Sequence, residues 1–291
     1  MPSPDFIVIG GMKCGTTSLY HYLGHHPEVT VSRKKEVNYF FGRLYNKRSY
    51  AWYRRQFPDG GVVTGDVSPV YSKLHLDPEV PRRIHSALPH VRLIYLVRDP
   101  VQRFISHYQH SLAKARTTLR ADAFVESELR GPGNVFLTGC YYKHLKGYLE
   151  YFSHEQILIV ECEKLWSQTT QELDRIFRFI GVSEESAYEG FDQVHHSSSS
   201  KYVLNPIGAR LRKLVGAKQA LAWSRSPIGR KLLYRPMQSI ALDAGSRAAL
   251  ERAYAPWNNL LRDLCGMPLE SWPDYSRLRG KGDRIPEEPI P

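Results

Sequence analysis

Lys13, Arg98 and Glu36 are the side chains whose types and surroundings suit chemistry on a phosphate-linked group. Lys13 lies in "GGMKCGTTS" (10–18), where Gly10 and Gly15 keep the glycine spacing of a phosphate-binding loop. A nucleoside-triphosphate loop has its lysine directly after the second glycine, and here Thr16 holds that place. Amides of residues 14–18 at a helix N-terminus still favour a dianion, and Thr16, Thr17 and Ser18 add hydroxyl donors. A lysine moved toward the loop tip suits the bridging oxygen between a bound phosphate and the group being transferred.

Arg98 stands in "YLVRDPVQRFISHY", at the C-terminal edge of an apolar run, where open α/β sheets bind ligands. Ser106 follows two turns into the next helix and could share one anion with Arg98. The alternative for Arg98 is an internal salt bridge to Asp99. A ligand with two separate phosphate groups would use both places at once. Glu36, in "SRKKEVNYFF", is a carboxylate of the kind that deprotonates an acceptor hydroxyl. Lys34 and Lys35 would hold a negative group nearby or keep Glu36 ionised; alone, such a run is a solvated charge cluster.

These residues need a frame. FIVIG (6–10) reads as a buried parallel strand, and the helix after it places Leu19, Tyr20 and Leu23 together before Gly24 and Pro27 stop it. Further strands are expected at 62–66, 91–100 and 156–165. Helices are expected from Pro78, from Pro100, over 138–152, and over 169–182 ending at Gly181. The helix from Pro100 carries Phe104, Ile105, Tyr108 and Leu112 on one side. Alternating strands and helices predict one α/β domain over 1–273, a central parallel sheet flanked by helices, with a helical C-terminal part and a loose tail over 274–291.

The region 183–204 turns polar around "HHSSSSKY", the composition of a linker. Residues 207–235 read as helical and basic, within a subregion reaching 240. That stretch is either a lid over an acceptor cleft or a surface for peripheral membrane contact. Aromatics at Tyr39–Phe41, Tyr50–Tyr53 and Tyr141–Tyr142 either stack on an acceptor or belong to the core.

The chain has 291 residues and a formal charge of +11, which suits an anionic substrate or simply a basic soluble surface. Four cysteines lie far apart with no CxxC pair, so neither a disulfide framework nor a cysteine zinc site is expected. Cys14 is a small residue fitted to the loop, or alternatively a reactive thiol. No apolar run approaches the length of a membrane span, and "MPSPDFIVIGG" lacks a basic segment before a signal core. A cytoplasmic location is expected, although a Golgi enzyme trimmed of its anchor would begin the same way.

Together, "GGMKCGTTSLYHYL", "RKKEVNYFF" and "LIYLVRDPVQRFISHY" resemble the sulfotransferases that use 3′-phosphoadenosine 5′-phosphosulfate (PAPS), especially the bacterial and heparan-type domain. "GDVSPVY", "GCYYKHLKGYLEYFSHEQILIVECEKL" and "RAALERAYAPWNNLL" extend the resemblance to about residue 273. It implies a P-loop-kinase-like sulfotransferase fold, PAPS as donor, 3′,5′-ADP (PAP) as product, and no metal. Lys13, Cys14, Gly15, Thr16, Thr17 and Ser18 would hold the 5′-phosphosulfate, with Lys13 also neutralising the leaving phosphate. Arg98 and Ser106 would hold the 3′-phosphate. Ser198, Lys201 and Tyr202 match a loop that covers the nucleotide. Glu36 matches the catalytic base, with His21, His25, His26 and His107 as rivals because another branch of the family uses histidine.

Two departures stand out: Val67 replaces a lysine of the heparan-type enzymes, and no cysteine flanks "HHSSSSKY". They argue against a Golgi glycosaminoglycan enzyme and leave the acceptor open among small molecules and glycans: a hydroxyl, or less readily an amine, of a carbohydrate, lipid or natural product. A small-molecule kinase with an atypical loop is the rival enzyme, and a membrane-surface module the rival outside catalysis. No residue pattern here reads nucleic-acid bases.

Overall fold

The computed structural model describes residues 2–114, 116–131, 133–184, 202–204, 234–236, 240–267 and 269–273. Strand β1 (Phe6–Gly10) leads through the glycine loop into helix α1 (Thr16–His25), followed by β2 (Val29–Val31). Short helices α2 (Arg43–Lys47) and α3 (Tyr50–Arg54) precede β3 (Val63–Val67), a 3-10 turn over Pro69–Ser72 and α4 (Val80–Ala87). Then come β4 (Arg92–Val97), α5 (Pro100–Ala113), α6 (Ala121–Arg130), α7 (Asn134–Leu137), α8 (Tyr141–Leu149) and β5 (Ile157–Glu161). Helices α9 (Cys162–Ser167) and α10 (Thr169–Ile180) follow, then strands β6 (Tyr202–Leu204) and β7 (Tyr234–Pro236), and α11 (Ala244–Cys265).

The five strands β1–β5 form one parallel sheet in the order β2-β3-β1-β4-β5. Its central strands are covered on both faces, so they read as unbroken apolar runs rather than alternating ones. Phe6, Ile7, Val8 and Ile9 are fully buried, as are Leu93 to Val97. Each such side chain contributes about 1.5–3 kcal/mol of burial, which makes the sheet a rigid frame for whatever its loops carry. The strand order reverses between β1 and β4, and ligand crevices open at the carboxyl ends of strands flanking such a switch. Val8 pairs with Val67 and with Ile94, and Val97 pairs with Glu161, so the loops after β1, β3, β4 and β5 leave along one edge.

Several boundaries differ from the expectations. The strand expected over 156–165 stops at Glu161, and Cys162–Ser167 turns helical, because Lys164 folds back to pair with the buried Glu161 at 3.0 Å. The helix expected over 138–152 begins at Tyr141, since Gly139 and Cys140 donate to Phe136 and Leu137 and close α7 first. The helix expected from Pro78 begins at Val80 and has Pro81 in its first turn. Helix α10 has its expected glycine end, with Gly181 at φ 84°, but no side chain caps its N-terminus. Residues 234–236, expected to end a helix, form a strand antiparallel to β6, with Leu204 opposite Tyr234. Residues 207–233 and the 274–291 tail lie outside the described residues.

Candidate active site

The glycine loop is held from below and from one side. Gly11 donates its amide to Leu96 O at 2.7 Å, tying the loop to β4. Gly15 adopts φ 85°, and a β-carbon there would stand 3.1 Å from Cys162 Sγ, so glycine is required on two counts. The amide of Cys14 is taken by Gly11 O at 3.1 Å, and the first bond within the helix is Leu19 N to Gly15 O. The amides of Thr16, Thr17 and Ser18 therefore have no acceptor inside the helix and carry its positive end. Thr17 is exposed, while Thr16 and Ser18 are buried.

Cys14 is fully buried, with Sγ 3.5 Å from the Tyr141 phenol oxygen. Burial pushes its thiol up to about 11, so it stays protonated and packs as a small side chain. A reactive thiol needs the reverse surroundings.

Arg98 joins the second predicted place to the first. Its Nη1 donates to the main-chain oxygen of Lys13 at 3.3 Å, and its guanidinium carbon stands 4.9 Å from the centre of the Trp166 ring. Such stacking orients an arginine without neutralising it. Tyr141 fixes the arginine's main chain, donating to Arg98 O at 2.9 Å and accepting from Arg98 N at 3.3 Å. The internal salt bridge was the alternative partner for Arg98. Asp99 caps α5, accepting from Val101 N at 2.8 Å. Arg98 Nε is buried and has no hydrogen-bond partner among the described residues. Such an N–H can donate to a bound anion.

Ser106 is half-buried on α5, which starts from the same strand end as Arg98. Strand β6, which begins at Tyr202, passes beside α5; Ser198 and Lys201 lie outside the described residues.

Glu36 lies on the same edge. Its amide donates to Val67 O at 3.0 Å, at the carboxyl end of β3, the strand next to β1. Its carboxylate is exposed and pairs with Lys35 Nζ at 2.7 Å. The rival histidines do not converge there. His21, His25 and His26 sit about 7–15 Å along α1 from its first residue, and His26 is held by Ser183 O at 2.9 Å. His107 is buried, and Arg103 Nη1 donates to its Nδ1 at 3.1 Å. Burial, and then the Arg103 charge, push its pKa far below the ordinary range, and the lone pair of the neutral ring, on Nδ1, is already taken by Arg103, leaving none for an acceptor proton.

Tyr141 and Trp166 are site residues that sequence reasoning missed. Tyr141 was expected either to stack on an acceptor or to belong to the core, and it is buried beneath the loop. Trp166 follows β5 at the same carboxyl edge, and that position was the available signal. The other aromatics expected to stack or to be core, such as Tyr39, Phe40 and Tyr53, are core.

A parallel α/β sheet with a glycine loop at its switch point defines a P-loop-like fold. Residues 3–208 match the family described as Sulfotransferase domain, and the chain belongs to that family. It is 29% identical over 291 residues to the mouse bifunctional heparan sulfate N-deacetylase/N-sulfotransferase 4, covering 92% of this chain and 31% of that protein. It is 35% identical over 187 residues to the mouse heparan sulfate glucosamine 3-O-sulfotransferase 6, covering 62% of this chain and 52% of that protein. The chain thus spans about a third of the first relative's length and about half of the second's. A sulfotransferase from Alicyclobacillus acidocaldarius shares the fold, with a TM-score of 0.67 at 22% identity over 93% of this chain and 99% of that one.

Proposed function

We propose that this chain transfers a sulfuryl group from PAPS to a hydroxyl, or less readily an amine, with a carbohydrate as the favoured acceptor and a lipid or natural product as the others. The observation that carries this reading is the contact of Arg98 with the loop at Lys13, which sets two anion-holding elements side by side at the β1/β4 switch. The residues fit a bisphosphorylated nucleotide: the α1 amides suit one phosphate, and the unpartnered Arg98 Nε suits another. Lys13 and Thr16 to Ser18 would hold the 5′-phosphosulfate, Arg98 and Ser106 the 3′-phosphate, and Ser198, Lys201 and Tyr202 would cover the nucleotide.

The bound donor supplies the sulfuryl group, and the product is 3′,5′-ADP. Glu36, paired with Lys35, takes the acceptor's proton. Lys13 and the α1 amides stabilise charge on the leaving phosphate, in the manner of fixed oxyanion donors, during an in-line displacement that needs no metal. A carbohydrate acceptor is favoured by the names of the two heparan sulfate relatives. A cytoplasmic location belongs to the same proposal, as does a role for 207–235 either as a lid over the acceptor cleft or as a peripheral membrane contact.

The deciding experiment incubates the protein with sulfur-labelled PAPS and a panel of desulfated glycans, phenols and lipids. Acceptor-dependent release of 3′,5′-ADP with label on the acceptor is expected. Turnover of ATP with no turnover of PAPS would replace this reading with the kinase.

A further inference from the structure

Asp66 is a fully buried carboxylate on β3, one residue before the carbonyl that anchors Glu36. Three hydroxyls converge on it. Ser68 Oγ donates to Oδ1 at 2.7 Å, and Tyr53 and Tyr71 donate to Oδ2 at 2.9 and 3.1 Å. An ionised carboxylate only accepts, so all three hydroxyl protons point inward and their lone pairs face outward. Two of those hydroxyls then receive main-chain amides of the segment that carries Glu36. Asn38 N donates to Ser68 Oγ at 3.1 Å, and Phe40 N donates to Tyr71 Oη at 3.4 Å.

That segment needs holding. Glu36 and Asn38 have φ of 66° and 57°, a left-handed region that costs a non-glycine residue about 1–2 kcal/mol. Its ties to the sheet include Glu36 N to Val67 O and the two hydroxyl-mediated bonds. Hydrogen bonds arranged head to tail around a buried charge reinforce one another.

We propose that Asp66 is a positioning residue, which fixes the backbone of Glu36 through a Ser68 relay to Asn38 and a Tyr71 relay to Phe40. The role in catalysis rests on Glu36 being the base. Tyr53 supplies an internal control. Its hydroxyl donates to the same carboxylate oxygen as Tyr71 and both side chains are fully buried; its ring, which Tyr53→Phe keeps, packs on Tyr39 and Phe40, while the amide of Phe40 donates to Tyr71. The other charged group facing Asp66 is Lys35, which favours the ionised form that the relay requires.

The test compares Tyr71→Phe, Ser68→Ala and Tyr53→Phe, each removing one hydroxyl from Asp66. Two readouts are taken: sulfuryl-transfer kcat, and hydrogen–deuterium exchange at the amides of Asn38 and Phe40. The relay predicts that Tyr71→Phe and Ser68→Ala lower kcat about tenfold, the scale of one buried hydrogen bond. They should leave 3′,5′-ADP affinity and the donor KM unchanged and speed exchange about tenfold at Phe40 and Asn38, respectively. Tyr53→Phe should lose a similar melting temperature, with kcat and both amides within about twofold of the wild type. If the three variants match in kcat and in exchange at those amides, the relay is wrong. If the wild type transfers no sulfuryl group while the exchange pattern holds, the positioning stands and the proposed reaction falls.

Discussion

Arg98 Nη1 donates to the carbonyl oxygen of Lys13 across a 3.3 Å gap, joining residues 85 positions apart in the chain. The bond spans the two strands between which the sheet order reverses, so one arginine both closes the glycine loop and leaves its own Nε unpartnered.

If Arg98 grips a 3′-phosphate, Arg98→Ala weakens binding of 3′,5′-ADP and leaves AMP little changed. A charged hydrogen bond is worth about 1.5–3 kcal/mol, so the loss should be about 10- to 150-fold by titration calorimetry. Equal affinity of the wild type for 3′,5′-ADP and AMP would remove the second anion place.

Lys13→Ala and Glu36→Gln should separate binding from proton transfer. Each is expected to lower kcat about a hundred- to a thousandfold, as loss of a fixed electrostatic donor or of the base does. Only Lys13→Ala should also weaken nucleotide binding. Rapid-quench single-turnover measurement gives the chemical step directly. A Glu36→Gln variant that turns over like the wild type would require another base, and His107 is not available for it.

Cys14 should behave as a packed thiol. Its pKa, raised to about 11 by burial, keeps it neutral at pH 8, and iodoacetamide should label it only after denaturant is added. Cys14→Ser should retain catalysis. Rapid alkylation of the native protein at Cys14, read by mass spectrometry, would contradict the packing.

Asp66 gives stability a pH dependence of known sign. Burial, the largest cause, raises its pKa from 3.8 to about 6, against the pull of the Ser68, Tyr53 and Tyr71 hydroxyls. Below about pH 4 both folded and unfolded chains hold the proton. As pH rises toward about 6 the unfolded chain ionises first, so the native state loses stability across that window and levels off above it. The loss amounts to about 3 kcal/mol. Urea unfolding of the wild type and Asp66→Asn at stepped pH should show their difference narrowing by that much between about pH 4 and 7. A constant difference would mean that Asp66 ionises as freely as a surface carboxylate.

The sequence alone determined the frame and the ends of the site. FIVIG (6–10) and LIYLV (93–97) are apolar throughout because both faces of a parallel sheet are covered. Gly10, Gly15 and Pro100 mark turns that few other residues make, so the loop and the α5 start were legible as local chemistry. The strand at Tyr234–Pro236 was not legible, since its partner strand lies far along the chain and overrides short-range preference; the break after Glu161 and the late start of α8 turn on local hydrogen bonds that composition does not reveal.

Only the tertiary structure decided which residues serve the site. Tyr141 and Trp166 became its floor and wall, Asp99 became a helix cap, and His107 was tied to Arg103. Periodicity says which face of an element is buried, but not which polar group waits on the other side. Hydrogen bonds and burial act on atoms brought close in space, and that closeness exists only after the strands have found their order.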